Sequence, residues 1–197
     1  MDPVTTVTGK AMPLARSDVD TDQIIPAEHL KRVERTGFGR FLFGSWREDP
    51  DFVLNRPEHA GSVILVTGPN FGTGSSREHA VWALADYGFG AVVAERFGDI
   101  FRVNCTKNGL VPAQVDPDVA ARLLQAIADD PELEVTVDVD RRVVEAEAIC
   151  LSAPFALDDA TRQRFIDGLD DIGLTLRHQD RIAEFESTRP DWLPSTA

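Results

Sequence analysis

Gly68-Pro69-Asn70-Phe71-Gly72-Thr73-Gly74-Ser75-Ser76-Arg77-Glu78-His79 is the stretch that organises this chain. The apolar run Val63-Ile64-Leu65-Val66 leads into it, and Ala80-Val81-Trp82-Ala83-Leu84 leads out. A short buried strand, a glycine-rich turn and an amphipathic helix in succession predict an α/β unit. The helix N-terminus at such a turn offers free N–H groups and the positive end of a dipole, which suits an anion. Arg77 adds a planar fork that matches a carboxylate, and Ser75 adds a hydroxyl beside it. Together they predict a site for a small carboxylic acid. A plainer reading stands beside it: Ser75 to Glu78 fits the capping box Ser-x-x-Glu, which any helix can use. Three glycines, a second serine and an arginine within twelve residues favour the functional reading.

The common glycine motifs fail here. A Walker loop needs a lysine before its Ser/Thr, and none is present. The dinucleotide fingerprint needs a glycine where Arg77 stands, and a nucleophile elbow needs glycines flanking the serine.

Working outward, the chain alternates strand and helix. Residues 63–66 and 91–94 read as strands, 76–88 and 97–105 as helices, and 110–111 as the start of a strand. Asp116 caps a helix with Pro117 at its first position, and Val119, Ala120, Leu123, Leu124 and Ile127 follow with helical spacing. Residues 133–139 and 142–150 alternate like a strand pair. Residues 158–169 and 180–186 close the chain as helices. Residues 5–15 predict a further strand, and 28–60 a long loop region with five aromatics; loops of that length are often functional. The pattern predicts an α/β sandwich with a mostly parallel sheet flanked by helices, one domain over 1–197, with 1–4 and 190–197 as loose ends.

Composition narrows the function. At 197 residues and 43% hydrophobic, the chain has enough material for one sizeable core. A net charge of −13 argues against nucleic acid and anionic membrane as partners. An anionic substrate then requires locally focused positive charge. The candidates are Lys31, Arg32 and Arg35, then Arg77, Arg102 and Lys107. No apolar run approaches the roughly 20 residues of a membrane span, and the N-terminus lacks a signal pattern, so a cytoplasmic location is expected. Cys105 and Cys150 are the two cysteines, too few for an iron–sulfur cluster or a structural zinc site within this chain. The histidines show no ligand spacing, so no metal is expected here.

Two further segments stand out. Phe97-Gly98-Asp99-Ile100-Phe101 runs on to Asn104-Cys105-Thr106-Lys107-Asn108-Gly109-Leu110. Lys107-Asn108-Gly109 reads as a helix C-cap in preference to a direct ligand, and Cys105 as a packed thiol. In Asp20-Thr21-Asp22-Gln23, the two carboxylates are either a metal pair or the means by which a neighbouring arginine or hydroxyl is oriented; the sequence leaves both open.

With these segments in order, the chain resembles the small subunits of 3-isopropylmalate dehydratase, the free-standing swivel domain of the aconitase superfamily. The resemblance rests on residues 20–26, 68–79, 97–101 and 104–110 and spans roughly 5–188. Thr36-Gly37-Phe38-Gly39 and the length favour the bacterial isopropylmalate branch. It implies a swivel-domain fold and the conversion of 2-isopropylmalate to 3-isopropylmalate by loss and re-addition of water in leucine biosynthesis. It implies a large-subunit partner, as a heterodimer or higher assembly, whose [4Fe–4S] cluster acts as a Lewis acid on the departing hydroxyl. It makes Ser75 the catalytic base, as an alkoxide, and Arg77 the grip on a substrate carboxylate. Ser76 adds a hydrogen bond, backbone N–H groups near Gly72 and Gly74 complete the cradle, and Asp20, Asp22, Glu78 and His79 support it. His29-Leu30-Lys31-Arg32 corresponds to the loop that reads the substrate's side group: Leu30 against the isopropyl group, Lys31 or Arg32 on a second carboxylate, or else a solvated basic turn. Glu28 and His29 depart from the apolar or aromatic pair the family pattern favours. Homocitrate, citraconate-type acids and methyl-malates therefore stay open as substrates, with a homoaconitase-like small chain or a non-catalytic dicarboxylate-binding module as alternatives.

Overall fold

The structure, a computed structural model, describes residues 1–31, 36–74, 77–190 and 192, with Leu30 described by its backbone alone. Ser75, Ser76, Arg32, Arg35 and the Leu30 side chain therefore lie outside the described residues.

Seven strands form one sheet in the order β4-β3-β2-β1-β5-β6-β7. They are β1 (Thr6–Leu14), β2 (Ile64–Thr67), β3 (Ala91–Ala94), β4 (Val111–Gln114), β5 (Glu134–Asp138), β6 (Val143–Ala146) and β7 (Leu151–Pro154). The pairings β1–β2, β2–β3 and β3–β4 are parallel; β1–β5, β5–β6 and β6–β7 are antiparallel. The α/β class is as expected, but the sheet is mixed. The two halves differ in burial for a physical reason. Every residue of β2 and β3 is buried, as in parallel strands covered on both faces. In β7 buried and exposed residues alternate, and β5 and β6 alternate likewise, as in strands with one solvated face.

The helices are α1 (Thr21–Ile24), α2 (Glu78–Tyr87), α3 (Asp99–Lys107), α4 (Pro117–Asp129), α5 (Asp159–Asp167), α6 (Asp171–Leu176) and α7 (Gln179–Ser187). Two apolar cores result, one on each face of the sheet. Leu65 and Val92 join Leu84, Phe101 and Cys105 in the first. Their strand neighbours Ile64, Val66, Ala91 and Val93 join Leu123, Ile127 and Phe165 in the second. The period-2 alternation of side chains decides which core each receives.

Three expectations change. Residues 28–60 do not form an open loop: among the described residues, short 3₁₀ turns at Ala27–Lys31, Gly39–Phe41, Val53–Asn55 and Pro57–His59 alternate with buried Phe38, Leu42, Phe43, Phe52 and Leu54. Burying large aromatic side chains offsets the ordering entropy that a polar loop of this length would not recover. The strand expected over 142–150 ends at Ala146 in a 3₁₀ turn, with Cys150 at φ +49°, and the chain returns as β7. Residues 1–4 are held: Val4 N–H donates to the Phe165 carbonyl at 2.8 Å, and Met1 packs on the second core.

Cys105 is fully enclosed in the first core, and burial pushes its thiol well above the ordinary value; Cys150 is exposed. Among the described residues, no helix is long and apolar enough to cross a membrane.

Candidate active site

The glycine-rich loop leaves β2 at the carboxyl end of the parallel strands, where open α/β sheets hold ligands. It is wedged between the segments that follow β1 and β3. On the β1 side, Asp18 N–H donates to the Pro69 carbonyl at 2.9 Å, and Asn70 Nδ2 donates to Asp18 Oδ1 at 2.8 Å. Further on, Gly72 and Thr73 N–H both donate to the Val19 carbonyl, at 2.8 and 3.1 Å, and Thr21 N–H returns a bond to the Thr73 carbonyl at 3.0 Å. On the β3 side, Phe71 N–H donates to Arg96 and Gly98 N–H to Phe71, both at 2.9 Å.

The loop glycines do different work. Gly72 sits at φ +73°, and a Cβ there would lie 2.2 Å from Cγ of Phe101. The expectation that the Gly72 N–H completes an anion cradle is corrected, because that donor is committed to Val19. The glycine is needed for left-handed backbone and close approach. Gly74, at φ +85°, is exposed, with Asp20 Cβ 3.3 Å from where its own Cβ would be.

Asp20 and Asp22 take separate partners. Asp20 caps α1: its Oδ1 accepts from Gln23 N–H at 2.8 Å, and Gln23 Oε1 accepts from Asp20 N–H at 2.9 Å, a reciprocal capping box. Asp22, in the first turn so fixed, meets Arg77: Nη1 to Oδ1 is 2.8 Å and Nη2 to Oδ2 is 3.3 Å. The two carboxylates thus face different partners, Asp22 the Arg77 guanidinium and Asp20 the backbone of α1. An ion pair this exposed contributes only about 0.2–1 kcal/mol; its consequence is a two-point contact that turns the guanidinium toward α1.

The capping-box reading of Ser75 and Glu78 is corrected. Helix α2 begins at Glu78 with Arg77 at the N-cap, so Glu78 is the first helical residue and not the third. Its carboxylate accepts instead from Asn108 Nδ2 at 3.0 Å. His79 follows, half-buried, its ring 4.7 Å from that of Trp82 and edge-on to Phe38 at 5.4 Å. Burial lowers its pKa, with Arg77 adding to the shift and Glu78 opposing it, so the imidazole is neutral near pH 7.

The 28–31 segment is tied to the 3₁₀ turn at Gly39–Phe41 by aromatic packing. His29 stacks on Phe41 at 3.9 Å and lies 3.4 Å from the Glu28 carboxylate, while Lys31 is exposed. Arg102 and Lys107, considered as anion ligands, turn elsewhere: Arg102 donates to the Ala156 carbonyl at 2.8 Å, and Lys107 pairs with Asp171 at 3.4 Å. Among the described residues, no group of three His, Cys, Asp or Glu side chains is placed to hold a metal ion, so this chain's described side chains do not fit an iron–sulfur cluster. Sequence reasoning misses the side chain of Asn108, which joins α2 to α3 as well as capping a helix. No spacing signal reveals a contact across 30 residues of chain.

Comparison with known proteins places these features. The Aconitase C-terminal domain family matches residues 1–118, and the family model for the C-terminal domain of the 3-isopropylmalate dehydratase small subunit matches 171–195. The chain is 58% identical to a 3-isopropylmalate dehydratase small subunit of Rubrobacter xylanophilus, over 98% of each chain. It is 59% identical to one of Frankia alni, over 99% of each. In fold it is similar to a solved 3-isopropylmalate dehydratase structure from Methanocaldococcus jannaschii, with a TM-score of 0.69 at 24% identity, covering 91% of this chain and 99% of that one. A strand–loop–helix site of this construction, in a chain matched end to end by such relatives, makes it a member of the 3-isopropylmalate dehydratase small-subunit family of the aconitase superfamily.

Proposed function

We propose that this chain is the small subunit of a hydro-lyase that converts 2-isopropylmalate to 3-isopropylmalate, and that it acts only when joined to a large subunit. The observation that carries this reading is the Arg77 guanidinium, fixed by Asp22 at the N-terminus of α2, directly after Ser75 and Ser76. It supplies one grip for a carboxylate next to a base.

In the forward half-reaction, Ser75 as alkoxide takes a proton from the carbon next to a substrate carboxylate. The C–H electron pair becomes the second bond of an alkene, and the neighbouring hydroxyl departs with its bonding pair as hydroxide; that hydroxide and the proton taken by Ser75 together make up the water lost. Re-addition of water across the same double bond, with the hydroxyl on the other carbon, gives the isomer. Arg77 binds a carboxylate and stabilises the charge that develops as the proton leaves. Ser76, the Gly74 region, and Leu30, Lys31 or Arg32 complete the substrate contacts. The iron–sulfur cluster belongs to the partner, where it supplies Lewis-acid chemistry. One swivel domain over the chain is supported by a sheet that draws strands from Thr6 to Pro154. A cytoplasmic location agrees with an iron–sulfur partner and two free thiols.

Arg77→Lys tests the grip. A point charge cannot make two parallel bonds, so the assembled enzyme should show a higher KM and a lower kcat, with kcat/KM down roughly 10- to 100-fold. Steady-state kinetics with 2-isopropylmalate would read it, and wild-type values would remove Arg77 from the site.

The function itself is tested by mixing this chain anaerobically with a cluster-loaded large subunit and 2-isopropylmalate, then following the ultraviolet absorbance of the conjugated diacid. Turnover that needs both chains is expected. Turnover of homocitrate or methyl-malates in its place would move the chain to a sister hydro-lyase. Silence with every substrate, given an intact complex, would leave a dicarboxylate-binding module.

A further inference from the structure

We propose that α3 is a clasp that holds both described flanks of the serine pair, and that Asn108 is its distal latch, a positioning residue for the reaction. The kinetic part of this rests on the function proposed above; the structural part does not.

The incoming flank is fixed by the start of α3. Gly98 N–H donates to the Phe71 carbonyl at 2.9 Å, just before the helix begins. A Cβ at Gly98 would sit 2.3 Å from the Gly72 carbonyl oxygen, so two backbones touch with nothing between them. One turn on, Phe101 packs under Gly72 and makes an edge contact with Phe71 at 5.4 Å.

The outgoing flank is fixed by the end of the same helix. Asn108 Nδ2 donates to Glu78 Oε1 at 3.0 Å and to the Asn104 carbonyl at 2.9 Å, while Oδ1 accepts from Trp82 Nε1 at 2.9 Å. Indole is a donor only and a carboxylate an acceptor only, so the amide has one orientation that satisfies both. Glu78 and Trp82 are four residues apart on α2 and so share the face that Asn108 meets. The first turn of α2, with Arg77 at its N-cap, is thereby locked to the helix that also holds Phe71 and Gly72. The Phe97–Phe101 and Asn104–Leu110 segments thus have one purpose in common: α3 sets the distance between the two ends of the catalytic loop. The segment after β1 also reaches both flanks, through Val19 and Thr21 on the incoming side and Asp22 on Arg77, but its outgoing hold is an exposed ion pair.

The test uses the full small subunit assembled with its large subunit. Asn108→Ala should leave assembly intact and lower kcat on the order of 10- to 100-fold with little change in KM, as expected for reacting groups held slightly out of place. Asn108→Asp should be worse, since it sets a second carboxylate against Glu78. Adding Glu78→Gln to it should restore part of the loss, because the glutamine amide can then donate to Asp in the reversed sense, while the Asn104 carbonyl still lacks its donor. Trp82→Phe, which removes the indole N–H together with the five-membered ring and leaves Asn108 in place, is the companion if either Asn108 variant folds poorly. Hydrogen exchange read on peptides covering 72–80 should quicken in Asn108→Ala.

Values of kcat within about twofold of wild type in the Asn108 variants would overturn the proposal. Unchanged exchange over 72–80 would overturn it equally. If the wild type fails to turn over 2-isopropylmalate, the functional reading falls, and the exchange comparison still decides the clasp.

Discussion

Ser75→Ala should abolish turnover of the assembled enzyme while the small subunit stays folded and joins its partner as before. The reaction needs a group that removes a proton from carbon, and a positioned general base contributes about 100- to 10,000-fold. Alanine leaves the site without that base but with its carboxylate grip intact. Loss of kcat with KM nearly unchanged is therefore the expected signature. The obvious objection is that a serine ahead of a helix is also a cap, whose loss costs about 1 kcal/mol and distorts the helix start. A melting curve beside the kinetics separates the two roles. Helix α2 starts at Glu78 with Arg77 at the N-cap, and Ala80 N–H is taken by the Arg77 carbonyl at 3.0 Å. With the first turn of α2 anchored at the Arg77 carbonyl, the melting temperature of Ser75→Ala is expected to stay close to wild type. Ser76→Ala is the internal comparison, with a smaller loss because it removes a hydrogen bond and not the base. Retained turnover in Ser75→Ala would refute the assignment. A large fall in melting temperature would instead show a structural role for that hydroxyl.

The parts of this molecule legible in its sequence are those set by local chemistry. The strand expected over 63–66, the Pro117 helix start and the glycine that ends α2 at Gly88 depend on residues next to one another, and they appear within a residue of where expected, the strand at Ile64–Thr67. What is not legible depends on partners far along the chain. The region 38–54 reads as loop because its aromatics follow neither a period of 2 nor of 3.6. It packs because Phe38, Phe43 and Phe52 are buried beside α2 and β1. Helix α2 starts at Glu78, later than expected, and the carboxylate that a capping box would use is engaged by Asn108 from 30 residues away. The same holds within the site. The types of residue are readable: an arginine, two acids, a glycine-rich turn. Their pairing is not, because Asp22 meets Arg77 only after Thr21 and Thr73 join the two segments. The role of Gly72 is hidden for a related reason, since its N–H belongs to Val19 and its missing side chain to Phe101.

Gly72→Ala should be among the most destabilising single-methyl additions this chain can suffer. Two costs coincide there. At φ +73° an L-residue crowds its own carbonyl, at about 1–2 kcal/mol. The new methyl would also sit 2.2 Å from Cγ, 2.6 Å from Cδ1 and 2.7 Å from Cβ of Phe101. That ring cannot swing aside, because Phe101 is 2% exposed and packed against Phe71 and Phe97. Overpacking of this kind costs typically about 1–3 kcal/mol. The sum, roughly 2–5 kcal/mol, corresponds to a fall in melting temperature of about 5–20 °C for a chain of this size. Gly61→Ala separates the two costs. Gly61 has φ +77° but nothing within 4 Å of a built Cβ, so it carries the backbone term alone. The difference between the two melting temperatures measures the contact with Phe101. Catalysis should follow: if Gly72→Ala folds at low temperature, the methyl must push α3 from the loop, and turnover should fall even where the protein is fully folded. Equal melting temperatures for the two variants would mean that Phe101 yields freely, and the close packing of α3 beneath the loop would then have no mechanical consequence.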